Sequence, residues 1–167
     1  MKLKPSVCRI QYKKHKNRRQ HVLMCRQINR HKNGTEWRNF YGRFKGKGLS
    51  ATQTDDLLTE FKKYSLENIS WEENPKRKII KLSEIFYGKS VWLEIGFGGG
   101  EHLIHQARLN PDIGFIGCEP YQNGVAKLMG KLSANPCQNI KLYDGDVRNI
   151  FDVLAKNSIS KVFLLYP

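Results

Sequence analysis

No stretch of this sequence approaches the ~18 to 20 consecutive apolar residues of a membrane-spanning helix, so no span is expected. Behind the first charges of the N-terminus there is no apolar segment, so no secretory leader is expected either. Cysteine is sparse. Cys8, Cys25, Cys118 and Cys137 are widely spaced and form no C-x-x-C pair, which argues against a structural zinc site and against a disulfide framework. A reducing cytoplasm suits that usage best. Acid is scarcest of all near the start: residues 1–50 contain one acidic residue, Glu36, beside 15 lysines and arginines.

The formal net charge of +14 is therefore carried by those first fifty residues, while residues 51–167 balance 14 bases against 14 acids. A basic arm on a neutral body is the footprint of a polyanion-binding protein. The run Lys13-Lys14-His15-Lys16-Asn17-Arg18-Arg19 repels itself and stays extended. A transit peptide would also be rich in arginine and poor in acid, but this arm has almost no serine and no clear amphipathic period. A solubilising tail is the plainer alternative. Further on, Trp37, Phe40, Tyr41 and Phe44 interleave with Arg38, Arg43, Lys45 and Lys47. Rings among cations either stack on bases while the cations meet phosphates, or pin the arm to the body; both readings stand at this point.

Residues 51–87 read as a helical lead-in and a loop. Thr54 is the expected helix N-cap, with Asp55 and Asp56 in the first turn and Leu57, Leu58 and Phe61 as the apolar face. Pro75-Lys76-Arg77-Lys78 is expected on a surface loop. From residue 88 the texture changes. Val91–Ile95, Phe115–Glu119, Ile140–Tyr143 and Val162–Tyr166 read as short buried strands. Between them Leu103, Ile104 and Ala107, then Val125, Leu128, Met129 and Leu132, then Val147, Ile150, Phe151 and Leu154 carry helical spacing. Strands alternating with helices predict βαβ units and a doubly wound, Rossmann-like α/β domain over 88–167. A chain that stops at Pro167, directly after a strand, is expected to be truncated after its fourth strand, because a central strand needs a covered far edge.

The chemistry concentrates where the first strand meets a glycine turn, Glu94-Ile95-Gly96-Phe97-Gly98-Gly99-Gly100. Such turns let backbone approach a ligand at a helix N-terminus. The dinucleotide fingerprint G-x-G-x-x-G requires glycine at 101, where Glu101 stands, so an oxidoreductase reading is disfavoured. What is present is E-x-G-x-G-x-G. A carboxylate at Glu94 repels a pyrophosphate and suits a ligand with a sulfonium and an amino group, namely S-adenosylmethionine. Gly96 and Gly98 are the expected backbone contacts. Glu119, about 20 residues past the turn, stands where an acid takes ribose hydroxyls. Asp146, after the third strand, is expected to accept from the adenine amino group, in preference to Asp144. His102 and His105 sit at i and i+3, but no third ligand follows at a fitting spacing, so no metal is expected. Cys118 lies inside a strand, where burial is the expected role.

The segments Val91–Leu103 and Phe115–Glu119 closely resemble the bacterial tRNA (guanine-N7-)-methyltransferases. So do Tyr41-Gly42-Arg43, Leu49–Gln53, Asn139–Asp146 and the closing Phe163-Leu164-Leu165-Tyr166-Pro167, so that the resemblance covers about residues 38–167. It implies a class I methyltransferase fold, S-adenosylmethionine held by Glu94, Glu119 and Asp146, and a tRNA partner methylated at N7 of the guanosine at position 46. It also implies that Tyr-Pro continues into Asp-Pro-Trp, whose aspartate acts at guanine, so no catalytic residue is expected within this chain. Residues 1–34 match nothing in that pattern. The alternatives are a methyltransferase acting on another RNA, a protein or a small molecule, and a non-catalytic RNA-binding fragment. If residues 1–50 meet tRNA phosphates, binding will weaken steeply with salt and deleting residues 1–34 will flatten that slope. Equal slopes in titrations with and without the arm would make it a passive tail.

Overall fold

Four short parallel strands carry the architecture, each placed by a run of apolar residues too brief for a helix. A computed structural model describes residues 46–165 together with residues 42 and 44, all within one compact unit spanning 39–167. Most of the expected arm, including Arg38, Arg43 and Lys45, lies outside the described residues, as do Tyr166 and Pro167. The strands are β1 (Ser90–Ile95), β2 (Ile113–Cys118), β3 (Ile140–Tyr143) and β4 (Lys161–Leu164). They form one sheet in the order β3-β2-β1-β4, with every pairing parallel. From β1 the chain steps outward to β2 and β3, then returns to the other side of β1 for β4. That reversal is a topological switch point, and it opens a crevice beyond the carboxyl end of β1.

The crossover helices are α4 (Glu101–Leu109), α5 (Gln122–Ala134) and α6 (Val147–Phe151). Consecutive strand residues face opposite ways, which divides the core in two. Phe115, Ile140 and Leu142 join Leu103, Ile104, Ala107, Val125, Leu128, Met129 and Leu132 under α4 and α5. Val91, Leu93 and Ile116 join Ile150 and Val153 on the other face, together with Leu66, Ile69, Leu82 and Phe86. The residues ahead of the sheet thus supply much of the second layer. Their backbone also reaches the sheet edge: Leu66 N–H donates to Leu142 O at 2.7 Å, and Ser65 bridges to Leu142 beside β3.

The segment 51–87 holds α1 (Ala51–Thr59), α2 (Phe61–Tyr64) and α3 (Leu82–Ile85). The first of these corrects the sequence reading. Ser50, not Thr54, is the N-cap: its hydroxyl accepts from Gln53 N–H at 3.2 Å while Gln53 Oε1 accepts from Ser50 N–H at 3.0 Å. This reciprocal box satisfies two orphan amides where a lone Thr54 cap would satisfy one. Thr54 instead donates its hydroxyl proton to Ser50 O. Leu57 and Phe61 pack on the core, but Leu58 is 77% exposed and leaves the expected apolar face. The loop at 75–78 also differs in part. Pro75, Lys76 and Lys78 are exposed, but Arg77 turns inward. Its guanidinium donates to Ile69 O at 2.6 Å and to Asn149 O at 2.5 Å, lies 3.5 Å from Asp152, and stacks 4.6 Å from the Trp71 ring centre. Arg77 therefore ties the loop to α6 by planar, multidentate contacts that a lysine does not reproduce.

A close approach fixes how α3 meets the sheet. A Cβ on Gly114 of β2 would fall 2.3 Å from Phe86 Cδ1 and 2.5 Å from Phe86 Cγ, and Phe86 is buried. Gly114→Ala is expected to cost about 1–3 kcal/mol, the scale of overpacking a dense core. Phe86→Leu in the same chain should recover part of it. An unchanged urea midpoint in Gly114→Ala would show that the ring yields freely.

Candidate functional site

Glu94 is the fifth residue of β1, paired in register with Gly117 of β2 and Phe163 of β4. Val91 and Leu93 point into the second core layer, so Glu94 points to the face covered by α4 and α5. It is 2% exposed, an unusual place for a carboxylate. Its partner is His102, in the first turn of α4. A carboxylate accepts, so the imidazole Nδ1–H donates to Glu94 Oε2, at 2.7 Å. Burial pushes the Glu94 carboxyl above its ordinary value, and the His102 hydrogen bond and charge pull partly the other way.

The glycine turn follows at once. Gly96, Gly98 and Gly100 have φ of 74°, 55° and 75°, the left-handed region that a Cβ disfavours. The turn is tied down on all sides. Gly96 N–H donates to Cys118 O and Gly100 N–H to Phe97 O, each at 2.8 Å, while the Phe97 ring is buried. From α5, Lys131 donates to Gly99 O at 2.8 Å and pairs with Glu101. Gly124 of α5 comes so near that a Cβ there would sit 2.5 Å from Gly98 O.

Glu119 stands directly after β2, buried like Glu94. Its Oε2 accepts from Gly98 N–H at 2.7 Å and its Oε1 from Tyr121 N–H at 2.9 Å. The carboxylate thereby joins the glycine turn to the start of α5. Asp146 is placed differently. It is the N-cap of α6, accepting from Arg148 N–H at 2.9 Å, and the Arg148 guanidinium grips both its oxygens. Asp146 and Glu119 share one neighbourhood through Cys118, with Asp144 beside them. That thiol is buried, donates to Gly145 O at 3.2 Å, and is pushed far above its ordinary range by burial and then by the charges of Asp146, Glu119 and Asp144. A thiol held protonated in this way is a poor nucleophile.

Of the four cations expected to meet nucleic acid, only Lys47 is described. It is exposed, and its carbonyl accepts from Asn123 Nδ2 at 2.7 Å. Gly46 N–H donates to Asn123 Oδ1 at 2.8 Å and Gln122 N–H to Phe44 O at 2.9 Å. The end of the basic segment is thus stitched to the first turn of α5, next to Glu119. His102 and Asn123 are the side chains that sequence reasoning missed. Sequence spacing suggests for His102 only a metal-ligand role with His105, which is exposed. The one usable signal in α5 is Gly124, a glycine in the first turn of a helix, directly after Asn123. Among the described residues no group of three or more His, Cys, Asp or Glu side chains is gathered to hold a metal ion, and no helix is long and apolar enough to cross a membrane.

Residues 88–167 match a protein family described as "Putative methyltransferase". A protein of Ruegeria sp. (strain TM1040) named tRNA (guanine-N(7)-)-methyltransferase is 52% identical over 138 residues, covering 83% of this chain and 54% of the relative. Proteins of the same name from Jannaschia sp. (strain CCS1) and Agrobacterium fabrum (strain C58 / ATCC 33970) are 54% and 42% identical, each over 130 residues, covering 78% and 77% of this chain and 55% and 53% of the relatives. The chain spans about half the length of the curated relatives it matches.

The raised Glu94 value has a consequence for stability. A carboxyl whose folded value lies above its ordinary 4.5 favours the native state in acid and loses that contribution as pH rises through the raised value. Glu94→Gln should therefore raise the thermal midpoint at pH 8 and bring no gain at pH 4. A lower midpoint at pH 8 would mean that the His102 contact outweighs the cost of burial.

Proposed function

We propose, from its likeness to proteins named tRNA (guanine-N(7)-)-methyltransferase, that this chain belongs to their family and binds S-adenosylmethionine at the carboxyl ends of β1, β2 and β3 for methylation of guanosine N7 in tRNA. The observation that carries the reading is the buried Glu94 carboxylate beside a four-glycine turn at the switch point of the sheet. Oε1 of Glu94 has no partner among the described residues, so the site offers one acceptor to a cation. The ammonium group of the cofactor is the complement, and bound there the cofactor supplies an electrophilic methyl on its sulfonium. A pyrophosphate would meet the same carboxylate with repulsion.

The chain's own residues bind and orient. Gly96 and Gly98 keep the turn free of side chains at the crevice. Glu119, already fixed by two backbone amides, turns its remaining lone pairs to the ribose hydroxyls. Asp146 takes the adenine amino group, sharing its carboxylate with Arg148. Guanine N7 carries a lone pair and no proton, so no base is required there. What remains is alignment of N7 with the methyl group and stabilisation of the charge that grows on the ring. The carboxylate expected at the guanine edge lies outside the described residues. Arg38, Arg43, Lys45 and Lys47 meet tRNA phosphates in this reading, and the anchoring of Phe44, Gly46 and Lys47 on α5 sets that contact close to the cofactor. A cytoplasmic location follows from a tRNA substrate.

The test is transfer of radiolabelled methyl to bulk tRNA by the full-length protein, with the product nucleoside identified by mass spectrometry. N7-methylguanosine is expected. Glu94→Ala should weaken S-adenosylmethionine binding by ~1–3 kcal/mol, the scale of losing hydrogen bonds to a charged group. Label on another nucleoside, or unaltered cofactor affinity in both Glu94→Ala and Glu119→Ala, would overturn the assignment.

A further inference from the structure

We propose that His102 is a positioning residue for the cofactor: by holding Oε2 of Glu94 it presents Oε1 to the ligand's ammonium group. This rests on the reading of Glu94 given above. The terminal torsion of a glutamate is soft, so a carboxylate without a fixed donor samples many orientations. Glu119 and Asp146 do not face that problem, because backbone amides hold both. Among the described residues Glu94 has a single partner, the His102 Nδ1–H at 2.7 Å, and its side chain is 3% exposed. One charge-assisted bond in a dry setting is enough to choose an orientation.

His102 is itself held from the other side. Its ring meets the Phe163 ring of β4 edge to face, 4.8 Å between centres and 70° between planes. Phe163 packs in turn on Trp92 of β1 at 5.7 Å, and Lys161 Nζ caps the Trp92 ring at 3.9 Å. Glu94 and Phe163 are register partners, so the imidazole spans adjacent strands just above the pair. The ring stack restrains imidazole rotation, and the Nδ1 bond passes that restraint to Glu94. Because α4 begins at the glycine turn, the same element that ends the ligand loop supplies the donor.

Calorimetry on the full-length protein with S-adenosylmethionine and with S-adenosylhomocysteine separates the possibilities. Both ligands carry the ammonium group and only the first carries the sulfonium. His102→Phe keeps the ring on Phe163 and removes the donor; affinity for both ligands should fall about tenfold, the effect of one hydrogen bond to a charged group. His102→Asn places an amide N–H near the Nδ1 position and should return affinity to within about threefold. In a Glu94→Gln background, His102→Phe should cause no further loss, since coupled residues do not add. The inference is overturned if His102→Phe binds both ligands as tightly as the unaltered protein. It is equally overturned if the loss persists in the Glu94→Gln background, or if His102→Asn fails to restore affinity while its thermal midpoint is unchanged. Should Glu94→Gln itself leave affinity unchanged, the cofactor reading falls and this inference with it; a loss in Glu94→Gln without one in His102→Phe removes the role of His102 alone.

Discussion

Gly98 donates its amide proton to Glu119 Oε2 at 2.7 Å, and its carbonyl lies 2.5 Å from where a Cβ on Gly124 would stand. Three elements meet at that residue: the turn after β1, the end of β2 and the first turn of α5. A parallel sheet aligns strand ends but leaves the loops above them free to splay. Here the loops are joined to one another by a buried carboxylate and by a backbone approach that only glycine allows. Lys131 adds a third tie, to Gly99 O. The crevice above β1 and β2 therefore has a defined wall.

That wall is made of groups that disfavour folding. Glu94 and Glu119 are buried carboxylates, and burial with the charges of Asp146, Glu119 and Asp144 holds the Cys118 thiol protonated. An apolar residue in place of Glu94 would pack at lower cost. Retaining the acid is the pattern expected of a ligand site, where local stability is given up for a charge that a cationic partner completes. The apolar layers on both faces of the sheet offset it, including Leu66, Ile69, Leu82 and Phe86 from the residues ahead of β1.

The asymmetric charge of the chain acquires a location as well. The basic N-terminal fifty residues end at Phe44, Gly46 and Lys47, whose backbones are bonded to Gln122 and Asn123. Those residues open α5, three and four positions after Glu119. The described end of that segment is thereby tied to the helix that follows Glu119. Basic and acidic groups are thus neighbours at the start of α5.

Much of this was legible in one dimension. Short apolar runs located all four strands and 3.6-residue spacing the crossover helices, but β4 departs from the expected buried strand: Val162 and Leu164 are 50% and 57% exposed, with nothing among the described residues covering that edge. Glu94 and Glu119 could be singled out because an acid at the end of an apolar strand has no packing reason to be there. Other features depended on neighbours distant in sequence. Ser50 rather than Thr54 caps α1 because Gln53 returns the hydrogen bond, a pairing that the local S-x-x-Q spacing does signal. Arg77 looks like any loop cation until Ile69, Asn149 and Trp71 surround it. The grip of Arg148 on Asp146 is likewise a side-chain choice among rotamers. The pairing of His102 with Glu94 is the sharpest case: eight residues apart, they meet only because the glycine turn folds α4 back over the strand it follows. Sequence by itself determined the elements and the positions of the acids, since each depends on local periodicity and residue type. Tertiary structure alone decided which donors those acids face, because a hydrogen-bond partner is set by how loops and helices return onto the sheet.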